Sequence, residues 1–164
     1  MALYPEEYDA TAIEQMRDIY MGKYENVKKV YVPMLQNGQW FLLVIDTTTP
    51  DSMTYIDSCD DPKERKKRIN QVNYAAYFLE TILDDRQFFE HSYTEKPFIS
   101  KFKFLEANPP HKEDGLNDSG VWVARLMQLS YMWDDYLDEV NDRTRMTLAL
   151  DLVMEKENPK ADEI

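Results

Sequence analysis

The segment NDSGVWV, residues 117–123, places a small hydroxyl side chain where a polar loop gives way to apolar residues. This pattern predicts a loop that leads into a buried helix over roughly residues 119–133. A hydroxyl at such a helix start acts as a nucleophile only if a positioned base takes its proton during attack. In a purely structural role, the Ser119 hydroxyl or the Asp118 carboxylate accepts a free backbone N–H of the first turn.

Few side chains could serve as that base or replace the nucleophile, since the chain has two histidines and one cysteine. A set of Ser119, His111 and Asp57 would require the loop before the helix to fold back over the helix start, so His111 is interpreted as an exposed loop residue. His91 is interpreted as lying at a helix end or in a loop, and Cys59 as an inert thiol. The sequence contains no Cys/His cluster and no glycine-rich phosphate loop, so no metal and no cofactor is expected.

The charge balance narrows the classes of partner. The chain carries 19 Lys and Arg residues against 31 Asp and Glu residues, which gives a net charge of -12. Such a surface repels nucleic acid and anionic membranes, and it favours a protein partner with a basic patch. No run approaches the roughly 20 apolar residues of a membrane helix, and the N-terminus lacks the pattern of a secretory signal. We therefore expect a nuclear or cytoplasmic protein.

The elements that must position these residues follow from hydropathy and turn residues. Asn37-Gly38 between two apolar runs indicates a two-residue hairpin turn. Hairpin-paired strands with helices gathered elsewhere indicate an α+β fold, expected to form a single domain over 1–164 with a core of about 27–157 and a flexible tail at 158–164. The predicted elements are a helix at 10–22, strands at 27–34, 39–46, 53–58 and 100–107, and helices that start after Asp61, at 119 and at 143.

The helix after Asp61 has the clearest start signal. Asp61 is predicted to cap it, Pro62 suits its first position, and Glu64 stands three residues after the cap. The basic run KERKKR, residues 63–68, is interpreted as a solvated face. The apolar stripe of this helix consists of Ile69, Val72, Ala76, Leu79 and Leu83.

Two other groups of apolar residues matter for the core. Trp40 and Trp122 are both interpreted as core residues. The last helix is predicted at 143–155, and its periodicity places four residues on one face: Met146, Ala149, Leu150 and Val153.

Three blocks of the chain occur in an order and spacing that resemble a known family. They are VYVPMLQNGQWFLLVID (30–46), MTYIDS (53–58) and NDSGVWVARLM (117–127). Together they resemble the C-terminal catalytic region of the ubiquitin-like-protein-specific cysteine proteases, the SUMO (sentrin) protease family. The last helix, RTRMTLALDLVMEKENP (143–159), is similar to that of the diverged, transposon-associated plant members. The resemblance implies a fold of the papain-like cysteine protease superfamily, with a central, mostly antiparallel sheet packed by helices.

The resemblance also implies which positions correspond to the family's active site. The triad His, Asp and Cys correspond to Gln39, Asp57 and Ser119, and the oxyanion-binding Gln corresponds to Glu113. Of these four positions, only Asp57 carries the family's residue. The flanking positions expected to take part in binding are Trp40, Asp118 and Gly120.

These replacements bear directly on the chemistry. Gln39 has no nitrogen that titrates near pH 7 and cannot act as a base, and a carboxylate at position 113 would repel a developing oxyanion. The sequence therefore predicts a catalytically inactive pseudo-protease that binds a protein, either a ubiquitin-like modifier such as SUMO or a partner with a basic patch. There are two alternatives. One is a cysteine-type isopeptidase in which Ser119 replaces the natural cysteine, and the other is a structural or regulatory domain of a larger plant protein.

Overall fold

A computed structural model of the chain describes residues 11, 14–15, 27–48, 51–58, 61–82, 98–107, 118–128 and 141–154. Of the helix predicted at 10–22, only Thr11, Glu14 and Gln15 are described, and they are helical. The tail predicted at 158–164 lies outside the described residues. The described elements are β1 (Lys29–Gln36), β2 (Gln39–Asp46), β3 (Ser52–Ile56), α1 (Pro62–Ile82), a short 3-10 helix (Ile99–Lys101), β4 (Lys103–Ala107), α2 (Ser119–Gln128) and α3 (Asp142–Met154).

The four strands form one sheet in the order β1-β2-β3-β4. Asn37 and Gly38 join β1 to β2 with φ angles of 52° and 79°, the two positive values that a tight hairpin turn requires. Five residues separate β2 from β3, too few for the crossover of roughly a dozen or more residues that parallel neighbours need. Only β3 and β4 pair in parallel, from Ser52 opposite Lys103 to Ile56 opposite Ala107. The predicted α+β class with a mostly antiparallel sheet is therefore confirmed.

Several predicted strand boundaries need correction. β1 extends to Gln36 and contains Pro33, which it tolerates because an edge strand leaves one row of N–H groups unpaired. β3 ends at Ile56, so Asp57 follows the strand. The strand predicted at 100–107 begins only at Lys103, because the residues before it form the 3-10 helix.

By packing, the chain divides into two compact units. The first consists of residues 1–32, 43–56 and 60–107, and the second of residues 33–42, 57–59 and 108–164. Within the described residues, none of the helices has both the length and the apolar character of a membrane span.

In the first unit, α1 packs against the 3-10 helix, and the Ser100 N–H donates to Glu80 Oε1 at 2.6 Å. The prediction that residues 63–68 are wholly solvated is wrong for Arg68, which is 2% exposed. Arg68 lies one turn before the buried Val72 and therefore points to the same side of the helix. The buried apolar residues of this unit are Leu43, Ile45, Met53, Tyr55, Ile56, Val72, Ala76, Leu79, Ile99 and Phe102.

In the second unit, α2 and α3 run in the same direction. Residue 118 at the start of α2 pairs with Arg145 near the start of α3, and Arg125 pairs with Asp151 further along both helices. The inward side of α3 therefore carries Arg145, Leu148 and Asp151. The predicted apolar stripe of this helix faces elsewhere: Met146 and Leu150 are 63% and 55% exposed. The buried apolar residues of this unit are Phe41, Leu42, Trp122, Val123, Leu126 and Leu148.

Candidate functional site

The start of α2 is the centre of the candidate site. Ser119 is the first residue of the helix, and the carbonyl of Asp118 accepts the Trp122 N–H at 2.9 Å. Asp118 therefore occupies the N-cap position, where the last non-helical residue accepts the first helical hydrogen bond. Both side chains are buried. The predicted helix start at Ser119 is confirmed, and the described part of the helix ends at Gln128.

The Ser119 hydroxyl is directed at the first residues of β2. The Trp40 backbone N–H donates to Ser119 Oγ across 3.1 Å, and Ser119 is only 1% exposed. This hydrogen bond joins residues that are 79 positions apart in the sequence. The hydroxyl therefore satisfies a strand N–H, which is a different role from the helix cap that the sequence predicts for it.

Gly120 allows this close approach of helix and strand. A Cβ at Gly120 would lie 3.1 Å from Trp40 Cδ1 and 3.3 Å from Trp40 Nε1, which is closer than ordinary van der Waals contact. The indole of Trp40 thus covers the first turn of α2. Trp40 is nevertheless 37% exposed, so its interpretation as a core residue is wrong. Trp122, by contrast, is fully buried, as predicted.

Gln39 and Asp57 lie at the same end of the sheet. Gln39 is the first residue of β2, and its Nε2 donates to Ser58 Oγ at 3.4 Å. Asp57 is buried and lies between Ser58 and the end of β3. Contacts therefore connect Ser119 with the residue after Gln39, and Gln39 with the residue after Asp57.

Sequence reasoning missed one residue of this network, Arg145 of α3. Its Nε donates to Asp118 Oδ1 at 3.2 Å, and its Nη2 also bonds that oxygen. Its Nη1 bonds Asp142 at 2.6 Å. The pKa of Arg145 is raised above its ordinary value, mainly by the hydrogen bond to the Asp118 carboxylate. The signal in the sequence was a cation in the first turn of a helix, where the helix dipole disfavours positive charge.

A second ion pair joins the same two helices. Arg125 Nη1 lies 3.0 Å from Asp151 Oδ2 and 2.9 Å from Gln128 Oε1. Asp118, the N-cap of α2, supplies the carboxylate of the first pair, and Asp151 of α3 supplies that of the second. Each helix therefore contributes one charge of each sign. The two pairs fix the register of α3 along α2 and hold Asp118, the residue before Ser119.

The described residues offer limited chemistry at this point. They include no histidine, because both His91 and His111 lie outside them. They also include no group of three His, Cys, Asp or Glu side chains that could hold a metal ion. Cys59 and Glu113 lie outside the described residues as well, so the roles expected for them stay predictions. What the site offers is a buried hydroxyl, an amide, a buried carboxylate and an exposed indole.

The similarity of this chain to known proteins concerns its fold. No protein-family model matches the chain, and no curated protein matches it. Among solved structures, the chain is similar to the Xanthomonas campestris effector protein XopD, which was solved bound to ubiquitin. The TM-score is 0.50 and the sequence identity 22%, and the match covers 88% of this chain and 70% of the XopD chain. At this identity the likeness bears on the fold alone, and it agrees with the SUMO-protease-like fold expected from the sequence.

Proposed function

We propose that this chain is a catalytically inactive, SUMO-protease-like domain that binds a ubiquitin-like protein at the surface around Trp40 and the start of α2. The observation that carries the proposal is the state of Ser119. Ser119 is 1% exposed, and its hydroxyl accepts the backbone N–H of Trp40 at 3.1 Å. A side chain held in this way serves the structure at the position where the resemblance implies a nucleophile.

The chemistry of the neighbouring side chains supports inactivity. A serine hydroxyl attacks a carbonyl only when a base takes its proton and the two reacting atoms approach to about 3–3.5 Å. The triad-equivalent residue beside it is Gln39, whose amide bonds Ser58 and cannot accept a proton near pH 7. Ser119 would therefore need a base that Gln39 does not supply before it could attack an isopeptide carbonyl.

Binding is supported by the character of the same surface. Trp40 packs on Gly120 through one part of its indole and remains more than one-third exposed. A rigid aromatic side chain of this kind is typical of the residues that contribute most to protein interfaces. The similar structure, XopD, was solved with ubiquitin bound, and this makes ubiquitin-like modifiers the class of partner to test first.

A second candidate function is that of an isopeptidase in which Ser119 replaces a catalytic cysteine. The observation in its favour is the position of Ser119, at the first residue of α2 and in contact with the residue after Gln39. Under this hypothesis the histidine would still have to be supplied from elsewhere, since position 39 is glutamine.

Both candidates can be tested with fluorogenic C-terminal derivatives of SUMO and ubiquitin at high protein concentration. We expect no turnover by the chain as it stands. Turnover that Ser119→Ala abolishes would overturn the proposal in favour of a serine mechanism. Binding of intact SUMO and ubiquitin, measured by calorimetry, should weaken at least tenfold in Trp40→Ala. Leu105→Ala is the matched control, because Leu105 has the same 37% exposure and belongs to the first unit.

The assignment of the triad positions has its own test. The double variant Gln39→His with Ser119→Cys supplies an imidazole and a thiol at two of the three triad-equivalent positions, and Asp57 already occupies the third. It should label with a SUMO or ubiquitin probe that carries a C-terminal electrophile, while each single variant should label at least tenfold more slowly. Equal labelling of Ser119→Cys alone would show that position 39 contributes nothing. A folded double variant that does not label at all would refute the assignment.

A further inference from the structure

The chain is acidic overall, but the first two turns of α1 have the opposite charge. Five of the six residues from 63 to 68 are cationic, in a chain whose net charge is -12. Arg65 pairs with Glu106, and Lys67 pairs with Glu64. Among the described residues, no acidic side chain forms an ion pair with Lys63 or Lys66, although the chain has 31 acidic residues.

These two lysines belong to a longer exposed face. At 100° per residue, six exposed residues of α1 fall within about a third of the helix circumference. Cations lie at its N-terminal end, and Tyr74 and Tyr77, 51% and 54% exposed, lie at its C-terminal end. Glu64, the only acid in this part of the helix, lies outside the arc. We call this surface the lysine–tyrosine face; it consists of Lys63, Lys66, Asn70, Asn73, Tyr74 and Tyr77.

Helix formation does not account for these residues. The first turn of a helix carries the positive end of the helix dipole, so a lysine there, such as Lys63, is locally unfavourable. A solvated helix surface also does not require two half-exposed tyrosines one turn apart. Tyrosine is intermediate in burial and is enriched at protein interfaces. The lysines and the helix dipole together produce a positive potential that an anionic partner would relieve.

We propose that the lysine–tyrosine face is a docking surface for an acidic peptide segment of a partner protein. Its chemistry defines the segment. Carboxylates face Lys63 and Lys66, and an aromatic or aliphatic side chain packs against Tyr74 and Tyr77. Lys63 and Tyr74 are 11 residues apart, which is about 16 Å along a helix. In an extended peptide, about five residues span that distance.

An acidic peptide suits this face better than nucleic acid does. A DNA duplex carries one charge per about 1.7 Å and is much longer than the face, so it is repelled by the net charge of the chain, -12. A short peptide stays within the face, and charges further away than about 8 Å are screened at physiological ionic strength. The proposal does not depend on the proposed function, because the face belongs to the first unit and the site around Ser119 belongs to the second.

The probe is a fluorescein-labelled 14-residue peptide that has four glutamates at one end and a Phe-Leu pair five residues further on. Its binding is followed by fluorescence anisotropy at 50 and 300 mM salt. The test variant, Lys63→Glu with Lys66→Glu, places acids at the helix start, where they favour the helix, so it is expected to fold. The matched control, Lys103→Glu with Arg143→Glu, makes the same charge change at two exposed residues off this helix.

We expect the test variant to bind at least tenfold more weakly and the control to change affinity less than twofold. Tyr74→Ala with Tyr77→Ala should weaken binding at least threefold without changing its dependence on salt. Equal loss in the test and control variants would reduce the effect to net charge and overturn the proposal. Tighter binding of a labelled 20-nucleotide single-stranded RNA, or of vesicles with 30% phosphatidylserine, than of the peptide would assign the face to those partners instead.

Discussion

The starts of α1 and α2 look alike in sequence and differ in the structure. Each helix follows an aspartate, and in each the backbone carbonyl of that aspartate accepts the N–H four residues later at 2.9 Å, Arg65 after Asp61 and Trp122 after Asp118. Asp61 is exposed, and its carboxylate accepts the Lys63 N–H at 2.9 Å. Asp118 is buried, and its carboxylate binds the guanidinium of Arg145. The same residue at the same position thus caps its own helix in one case and anchors another helix in the other.

This difference shows what a cap signal in a sequence can and cannot predict. A partner two residues away depends on local geometry, so the cap at Asp61 could be predicted correctly. The partner of Asp118 is 27 residues away, and the fold alone brings it close. The start of α2 is therefore stabilised by tertiary contacts, from Trp40 on one side and Arg145 on the other.

The strongest test of this contrast is a β-branched residue at the second helical position. Gly120→Val should destabilise the protein by about 2 kcal/mol or more, because its Cβ would lie 3.1 Å from the Trp40 ring and overpacking of this kind costs roughly 1–3 kcal/mol. Lys63→Val at the equivalent position of α1 is the matched control, since that residue is exposed. Urea denaturation monitored by circular dichroism measures both. Similar losses in the two variants would mean that the start of α2 is no more constrained than that of α1.

A smaller effect separates the two aspartates themselves. Asp61→Ala should cost about 0.5–1 kcal/mol, the usual value of an exposed helix cap. Asp118→Ala should cost more, about 2 kcal/mol, because it removes a buried carboxylate that accepts charged hydrogen bonds from Arg145 and joins two helices. The losses from Asp118→Ala and Arg145→Ala should not add in the double variant, since both remove the same contact. Additive losses, or an Asp61 effect equal to that of Asp118, would contradict the contrast.

Elements defined by local signals could be predicted from the sequence, and features that depend on distant partners could not. β2 was predicted at its observed residues, because Asn37-Gly38 fixes one end and a doubly apolar run defines the rest. The α+β class followed from similar local signals. The buried side of α3 did not, because its inward face consists of Arg145, Leu148 and Asp151, and the ion-pair partners of the two charged residues lie on α2. The apolar periodicity of the sequence lies on the opposite side of that helix, where Met146 and Leu150 are exposed.

The candidate site was predictable only in part, for the same physical reason. Motif order and the family resemblance indicated that Gln39, Asp57 and Ser119 lie near one another, and contacts with Trp40 and Ser58 connect them. The burial of the Ser119 hydroxyl and the exposure of Trp40 depend on how closely the strand approaches the helix. That approach is possible because Gly120 has no side chain. The sequence contains the glycine, but it does not show that Trp40 packs against it.

A third aspartate, Asp46, tests whether local hydrogen bonds of the Asp61 type also affect titration. Asp46 Oδ1 accepts the Thr48 N–H at 2.9 Å, the same two-residue spacing as at Asp61, and Lys29 Nζ lies 3.5 Å from the other oxygen. Partial burial tends to raise the pKa of Asp46, but the hydrogen bonds from Thr48 and the charge of Lys29 outweigh it and lower the pKa.

A lowered pKa in the folded state has a definite consequence for stability. The contribution of Asp46 is present above the unfolded pKa of about 3.9, and it is lost as the pH falls through the folded value. NMR titration of the Asp46 carboxyl carbon should therefore give a midpoint below that of an ordinary aspartate. Thr48→Val, which removes the hydroxyl donor, should raise the midpoint, and Thr144→Val, in the second unit, should leave it unchanged. A wild-type midpoint at or above about 3.9 would mean that burial outweighs the local donors at this turn.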